Sequence, residues 1–227
     1  MSYIATLTPE QRNNMNIILN TCPRKGITNT FAKAAVLAVA SKECELKLHK
    51  EASYAHTSNE RIRAIFGHHF TGVTEEQLNA IKVNDKLFFN KVYGNLYGNG
   101  PDNGWMYVGR GFNQITFLGN YRALGLKLNV DLVNHPELLD NPQIAAEALC
   151  QYFIDRFHSI TAEAINEDHT ADINGFTNLN DSLIGIYHAN AGWGKKIFPD
   201  ETGGFAKAKS RIDEFYHLVS APTAPTA

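Results

Sequence analysis

The chain has no excess of charge of either sign: 21 Lys and Arg stand against 23 Asp and Glu over 227 residues, a formal charge of −2. The broad basic field that holds a dedicated nucleic-acid binder by counterion release is missing, so that class is excluded. No stretch approaches the roughly 18 consecutive apolar residues of a membrane span, and stable membrane insertion is not expected. Cysteine is scarce. Cys22, Cys44 and Cys150 form an odd, scattered set without CxxC spacing, which reads as reduced, packed thiols. The nine histidines show no HxxxH or HxH spacing, and the adjacent His68 and His69 are expected to diverge. Neither a metal nor an organic cofactor is expected. The opening MSYIATLTPEQRNN lacks a basic segment followed by an apolar one, which predicts synthesis in the cytosol without a secretory signal.

What is present is enough apolar sequence, 44% of residues, to bury a sizeable core. Its spacing is mainly helical. Thr8-Pro9-Glu10 reads as an N-cap with proline at the first helical position, opening a helix towards Asn20 that Pro23 and Gly26 break. Thr30 is placed to cap the apolar run FAKAAVLAVASKECEL, with Phe31, Ala34, Ala35, Ala38 and Val39 at helical spacing. Ser58 or Asn59 caps a short turn through Ile62, Ile65 and Phe66, and Thr74-Glu75-Glu76-Gln77 has capping-box spacing. The segment from Tyr93 to Gly111 is rich in Gly with Asn, Pro and Asp between, and reads as a long functional loop. Asn141-Pro142 starts a helix with the stripe Ile144, Ala145, Ala148, Leu149, Tyr152 and Phe153. Asn174-Gly175 and Gly192-Trp193-Gly194 mark turns, a final helix spans about Phe205 to Val219, and residues 220–227 form a frayed tail. With no internal repeat and no dividing linker, one helical domain over residues 1–219 is expected.

Carboxylates first interrupt the apolar helix at Ser41-Lys42-Glu43-Cys44-Glu45, the end where the helix dipole disfavours negative charge. Glu43 continues the face of Ala35 and Val39. A carboxyl against an apolar wall keeps its proton more readily, which suits a general acid. Glu45 points about 200° away from it and is expected to be solvated. Both also fit a plain surface reading at a fraying helix end. Glu51 follows eight residues after Glu43, in LHKEASY, and such a pair suits glycoside hydrolysis, which needs an acid on one side of the bond and a base or nucleophile on the other. The segment WMYVGRGFNQITFLGNYRALG is more informative. It mixes aromatics, glycines that permit close backbone approach, and the neutral donors and acceptors Asn113, Gln114, Thr116 and Asn120, a set suited to carbohydrate. It fails as a GxGxxG dinucleotide loop, because Gln114 stands where the last glycine belongs.

GRGFNQIT followed by GNYRALG resembles the signature of the family 19 glycoside hydrolases, the chitinase and phage-endolysin group of the lysozyme-like superfamily. The usual form there is YRGRG, an IQLT-like run, then NY. Upstream, AVLAVASKECEL with KEASY is similar to the two glutamate steps of the endolysin members, and downstream DINGFTNLND resembles an INGG-x-NG segment. The three blocks fall in order across roughly residues 30 to 190.

The resemblance implies a mainly α, lysozyme-like fold with two lobes around a sugar cleft. By position it implies Glu43 as general acid, Glu51 as general base, and Thr116 as holder of the attacking water. Gln114, Asn120 and Asn174 match substrate-positioning amides. Arg110 matches an arginine that orients a carboxylate or makes a structural salt bridge. Tyr54, Trp105 and Tyr107 match stacking or cleft-wall positions, or core. The implied reaction inverts configuration and needs no cofactor. Peptidoglycan, the N-acetylglucosamine/N-acetylmuramic acid polymer, is the expected substrate of a monomeric phage-type endolysin. Such an enzyme is made in the bacterial host cytoplasm and acts in the periplasm and cell wall, causing lysis. A toxin delivered into rival bacteria, a chitinase acting on chitin oligomers, and a non-catalytic sugar-binding descendant are the alternatives. The chain departs from the family pattern at Lys42 (usually His), Cys44 (Ser or Thr), Val108 (Arg), Asn113 (apolar) and Phe117 (Gly).

Overall fold

A computed structural model describes residues 2–159, 172–191 and 203–221. The turn expected at Gly192-Trp193-Gly194, and the tail from residue 222 onward, lie outside them. The chain is mainly helical. In order it forms α1 (Tyr3–Thr6), α2 (Pro9–Arg24), α3 (Thr30–Cys44), β1 (His49–Lys50), α4 (Asn59–Phe66), α5 (Glu75–Lys82), α6 (Asp85–Tyr93), β2 (Arg110–Gly111), α7 (Leu118–Leu128), α8 (Pro142–Ser159), α9 (Leu179–Ala191) and α10 (Gly204–Ser220). Among the described residues no helix is long and apolar enough to cross a membrane. The chain divides into two compact units: residues 1–48 with 141–227, and residues 49–140.

In the first unit α3 packs against α9 and α10, and α2 packs against α8. Ala34 to Ser41 are buried without a break, so α3 is an apolar rod enclosed on all sides rather than an amphipathic surface helix. Its N-cap is Asn29, whose side chain accepts from Ala32 N at 3.0 Å; Thr30 is the first helical residue instead. The expected cap lay one residue late because both residue types can cap. Thr8 caps α2 in a full capping box with Gln11. That helix runs on past Asn20 and carries Pro23 in its final turn before ending at Arg24. Cys22 on α2 and Cys150 on α8 are free, buried thiols whose sulfurs lie 3.8 Å apart.

Glu45 was expected in solvent and is instead a tether. It takes the left-handed position that ends α3, pairs with Lys207 and Arg211 of α10, and accepts from Tyr3 Oη at 3.2 Å. Burial alone would raise its carboxyl, but these cations and the hydroxyl outweigh it and hold the group below its ordinary range.

The second unit is built on α6. Phe88, Phe89 and Val92 pack with Ile62, Phe70, Leu78 and Val108 as its core. Ser58 caps α4, and Thr74 with Gln77 forms the expected capping box on α5. β1 and β2 form a short antiparallel ladder pairing His49 with Gly111 and Lys50 with Arg110. His68 and His69 lie in one 3-10 turn (Gly67–Phe70), and their rings meet at 3.8 Å between centroids instead of diverging.

The glycine-rich segment after α6 is held by asparagine amides that stand in for backbone partners. Buried Asn99 donates to Tyr93 O at 2.8 Å and accepts from Leu118 N at 2.8 Å, joining the end of α6 to the start of α7. Asn90 accepts from Trp105 N at 3.1 Å. A Cβ on Gly104 would lie 2.7 Å from Phe89 O and 2.9 Å from both Gly94 N and the Tyr93 carbonyl carbon, so only glycine lets the following turn close on α6.

Candidate active site

Within the second unit the sequence brings Glu51 to the wall of a cleft of about 260 Å³. Lys50, Ser53, Asp85, Phe89, Trp105 and Val108 complete its lining. Glu51 directly follows β1, and the ladder continues through it: its backbone N donates to Gly109 O at 2.7 Å. In return Gly109 N donates to Glu51 Oε2 at 3.2 Å. Tyr93 Oη donates to both carboxylate oxygens, at 2.9 and 3.1 Å, and the Tyr54 hydroxyl faces the same group. The carboxyl is half-buried. Burial raises its pKa, the hydrogen bonds from Tyr93, Gly109 and Tyr54 pull the other way, and burial wins.

Thr116 and Gln114 lie over the same backbone step. A Cβ built on Gly109 would stand 2.8 Å from Gln114 Oε1 and 3.4 Å from Thr116 Oγ1. Three of the residues singled out in the sequence, Glu51, Gln114 and Thr116, therefore gather around Gly109. Gln114, at φ 50°, spends its Nε2 donors on His49 O (3.0 Å) and Gly111 O (3.1 Å), strapping the loop to the β ladder. Thr116 Oγ1 donates to Gln114 O at 3.0 Å, and Asn120 Nδ2 donates to the Thr116 backbone O at 2.8 Å, bracing that residue's backbone from α7. Phe117 has φ 74°, a backbone region that suits glycine far better than an aromatic residue.

The aromatic candidates separate by burial. Trp105 is 40% exposed at the cleft, with Lys86 Nζ 5.5 Å from its ring centroid, and it has a face to offer a ligand. Tyr54 packs on Phe88 at 4.9 Å and edge-on to Phe66 and Phe89, so its ring is core and its hydroxyl serves Glu51. Tyr107 is 4% exposed and donates to Val133 O at 3.0 Å, a core role. Arg110 is buried and its Nη1 pairs with Asp140, the salt-bridge alternative of the two it was given. Ser53 Oγ donates to Asp85 Oδ1 at 2.7 Å inside the cleft.

Two candidates belong to the first unit. Asn174 is fully employed in shaping the chain before α3: its Oδ1 accepts from Thr28 N (2.8 Å) and Asn29 N (3.1 Å), and its Nδ2 donates to Gly26 O (2.9 Å). Glu43 emerges from the buried rod as an exposed residue and pairs with Lys42 Nζ at 2.7 Å. Successive helix residues point apart, but a long lysine side chain spans the difference. The face carrying Ala35 and Val39 leaves the core before it reaches Glu43.

Sequence reasoning missed Tyr93 and Asp85. Tyr93 ends an apolar stripe and precedes the first glycine of the loop, a position that reads as core until the fold brings Glu51 to it from 42 residues away. Asp85 stands first in α6, where an acidic residue is explained by the helix dipole alone. Among the described residues no group of three or more His, Cys, Asp or Glu side chains converges as a metal ion would need. No protein-family model matches this chain, and no curated protein matches it either.

Proposed function

We propose that the protein is a glycosidase that hydrolyses β-1,4 bonds of bacterial peptidoglycan, with Glu51 as the base that activates water. The observation that carries this reading is the setting of Glu51: a half-buried carboxylate on a cleft wall, beside an exposed tryptophan, with Thr116 and Gln114 over the amide that binds it. A general base works best when its pKa lies nearer the working pH, and burial moves Glu51 in that direction. Trp105 offers the flat apolar surface on which a pyranose ring stacks. The Thr116 hydroxyl suits the holding of a water molecule, which removes the need to order it during the reaction.

In this reading the fold is lysozyme-like and two-lobed, and Glu43 is the acid that protonates the leaving oxygen. Inversion requires about 6.5–9.5 Å between the two carboxyls. A carboxyl that donates a proton cannot at that moment be the anionic half of an ion pair, so Lys42 must leave Glu43 when substrate binds. The sugar chemistry suits a phage-type endolysin that reaches the wall from the host cytoplasm. Chitin shares the linkage and is the competing polymer. The Lys42–Glu43 pair favours one further reading, a module that binds the polymer without cutting it.

The test is digestion of purified Gram-negative peptidoglycan and of chitin oligomers by wild type, with fragments identified by mass spectrometry. Release of muropeptides with new reducing ends supports the reading, and their terminal sugar names the bond. Saturable binding without any new reducing end would leave the binding module.

A further inference from the structure

We propose that Tyr93 is a positioning residue of this site, its hydroxyl fixing the Glu51 carboxylate so that the remaining lone pairs face the cleft. The inference rests on Glu51 being the base. Tyr93 is the last residue of α6, and its ring has little freedom: it stacks on Phe89 at 5.9 Å and 5°, and meets Phe117 edge-on at 5.3 Å and 85°. From that fixed ring one O–H group addresses both carboxylate oxygens, at 2.9 and 3.1 Å. A donor shared between two oxygens lies near the axis of the carboxylate and restrains both rotation and tilt. Gly109 N adds a second direction at Oε2. The backbone around Tyr93 is fixed in turn by the close approach of Gly104, where any Cβ would strike Gly94 N and the Tyr93 carbonyl carbon.

The same contact sets the charge of the base. A phenol that is buried next to a carboxylate holds its own proton more tightly, so Tyr93 stays a donor throughout the range in which the carboxyl titrates. Its hydrogen bond favours the ionised form and opposes the burial that favours the neutral one. The charged and titratable groups placed to influence Glu51 are Lys50 beside it, Tyr54, Asp85 and Tyr93 at the two ends of α6, and Tyr121 on α7. Of these, Tyr93 alone bonds both oxygens.

Two variants separate this role from mere packing. Tyr93→Phe keeps the ring and its stacking but removes the donor. Replacing Tyr93 with 3-fluorotyrosine keeps the donor and makes it stronger. The acidic limb of kcat/KM on peptidoglycan is expected to move to higher pH in Tyr93→Phe, with about a tenfold lower optimum, and to lower pH in the fluorinated protein. KM is expected to change little, because Tyr93 does not line the cleft. Limbs that superimpose on wild type in both proteins would overturn the proposal. In parallel, a 13C NMR titration of the Glu51 carboxyl, assigned by its loss in Glu51→Gln, reads the same shift without substrate. If wild type cuts neither polymer, the glycosidase reading fails, and the NMR titration still decides whether Tyr93 governs Glu51: opposite shifts in the two variants support it, and no shift overturns it.

Discussion

Glu43 and Glu51 are eight residues apart in sequence and have opposite surroundings. Glu43 stands in the last turn of the apolar helix α3, yet it lies exposed beside a lysine. Glu51 sits in a polar stretch, LHKEASY, yet it is half-buried under two tyrosines and a backbone amide. The difference shows that the apolar run before a residue says little about its own solvation. An enclosed helix has to surface somewhere, and α3 does so between Ser41 and Glu43. A carboxylate on a loop can be enclosed by elements that arrive from far along the chain.

The largest loss is expected at Glu51. Glu51→Gln is expected to lower fragment release at least a thousandfold, with the thermal midpoint nearly unchanged, because an amide keeps the shape and loses the basicity. Glu43→Gln is expected to abolish turnover as well while sugar binding survives. Near wild-type release by Glu43→Gln would remove Glu43 from the mechanism, and leave the cleft of the second unit to supply the acid from its own carboxylates.

Next in size is Gly104→Ala. The added Cβ meets three backbone atoms, of Phe89, Tyr93 and Gly94, none of which can rotate away. A loss of about 2–3 kcal/mol, read by urea unfolding, is expected from overpacking of this kind. Activity should fall with it, since the displaced backbone carries Tyr93. Gly109→Ala is expected to cost less, about 1 kcal/mol, because the closest atom is the movable end of Gln114. Its activity should drop more than its stability, since the Gln114 strap and the Thr116 hydroxyl are the parts displaced.

The tether at Glu45 gives a pH-dependent test in the first unit. Its folded pKa lies below the ordinary value of 4.5, so its contribution is complete above that value and is lost as pH falls through the lower, folded one. Glu45→Gln is therefore expected to lower the urea midpoint at pH 7 and to converge on wild type in strong acid. A constant difference at all pH values would mean that the Lys207 and Arg211 pairs do not stabilise the fold. The smallest effect is expected for Lys42→Gln, within about 0.5 kcal/mol, as for other exposed ion pairs. If Lys42 must leave before Glu43 can act, this variant should turn over at least as fast as wild type.

Much of the helical frame was legible in the sequence. Thr8 with Pro9, and Thr74 with Gln77, announced their helices through local hydrogen-bond chemistry, which depends on neighbours only. The α3 run was legible by length and composition, though Asn29 took the cap expected of Thr30. Pro23 and Gly26 were expected to break α2; the helix continues through Pro23, which forfeits the one hydrogen bond its missing N–H would have made, and ends at Arg24, two residues before Gly26 takes a positive φ. The division at residues 49 and 140 was not legible, because no change in composition marks it. In the candidate site, Gln114, Thr116 and Glu51 were singled out by a resemblance, and the fold places them around one glycine. Tyr93, Asp85 and the core role of Tyr107 depend on contacts between distant segments, which leave no periodic trace.

Water activation by Glu51 is read from the anomeric configuration of the first product, followed by proton NMR during cleavage of a soluble β-1,4 oligomer of peptidoglycan or chitin. The α-anomer is expected to appear first and then mutarotate, because water attacks from the face opposite the leaving group. A β-anomer appearing first would mean double displacement, through a carboxylate or through the substrate's own acetamido group, and would contradict direct attack by a water that Glu51 activates.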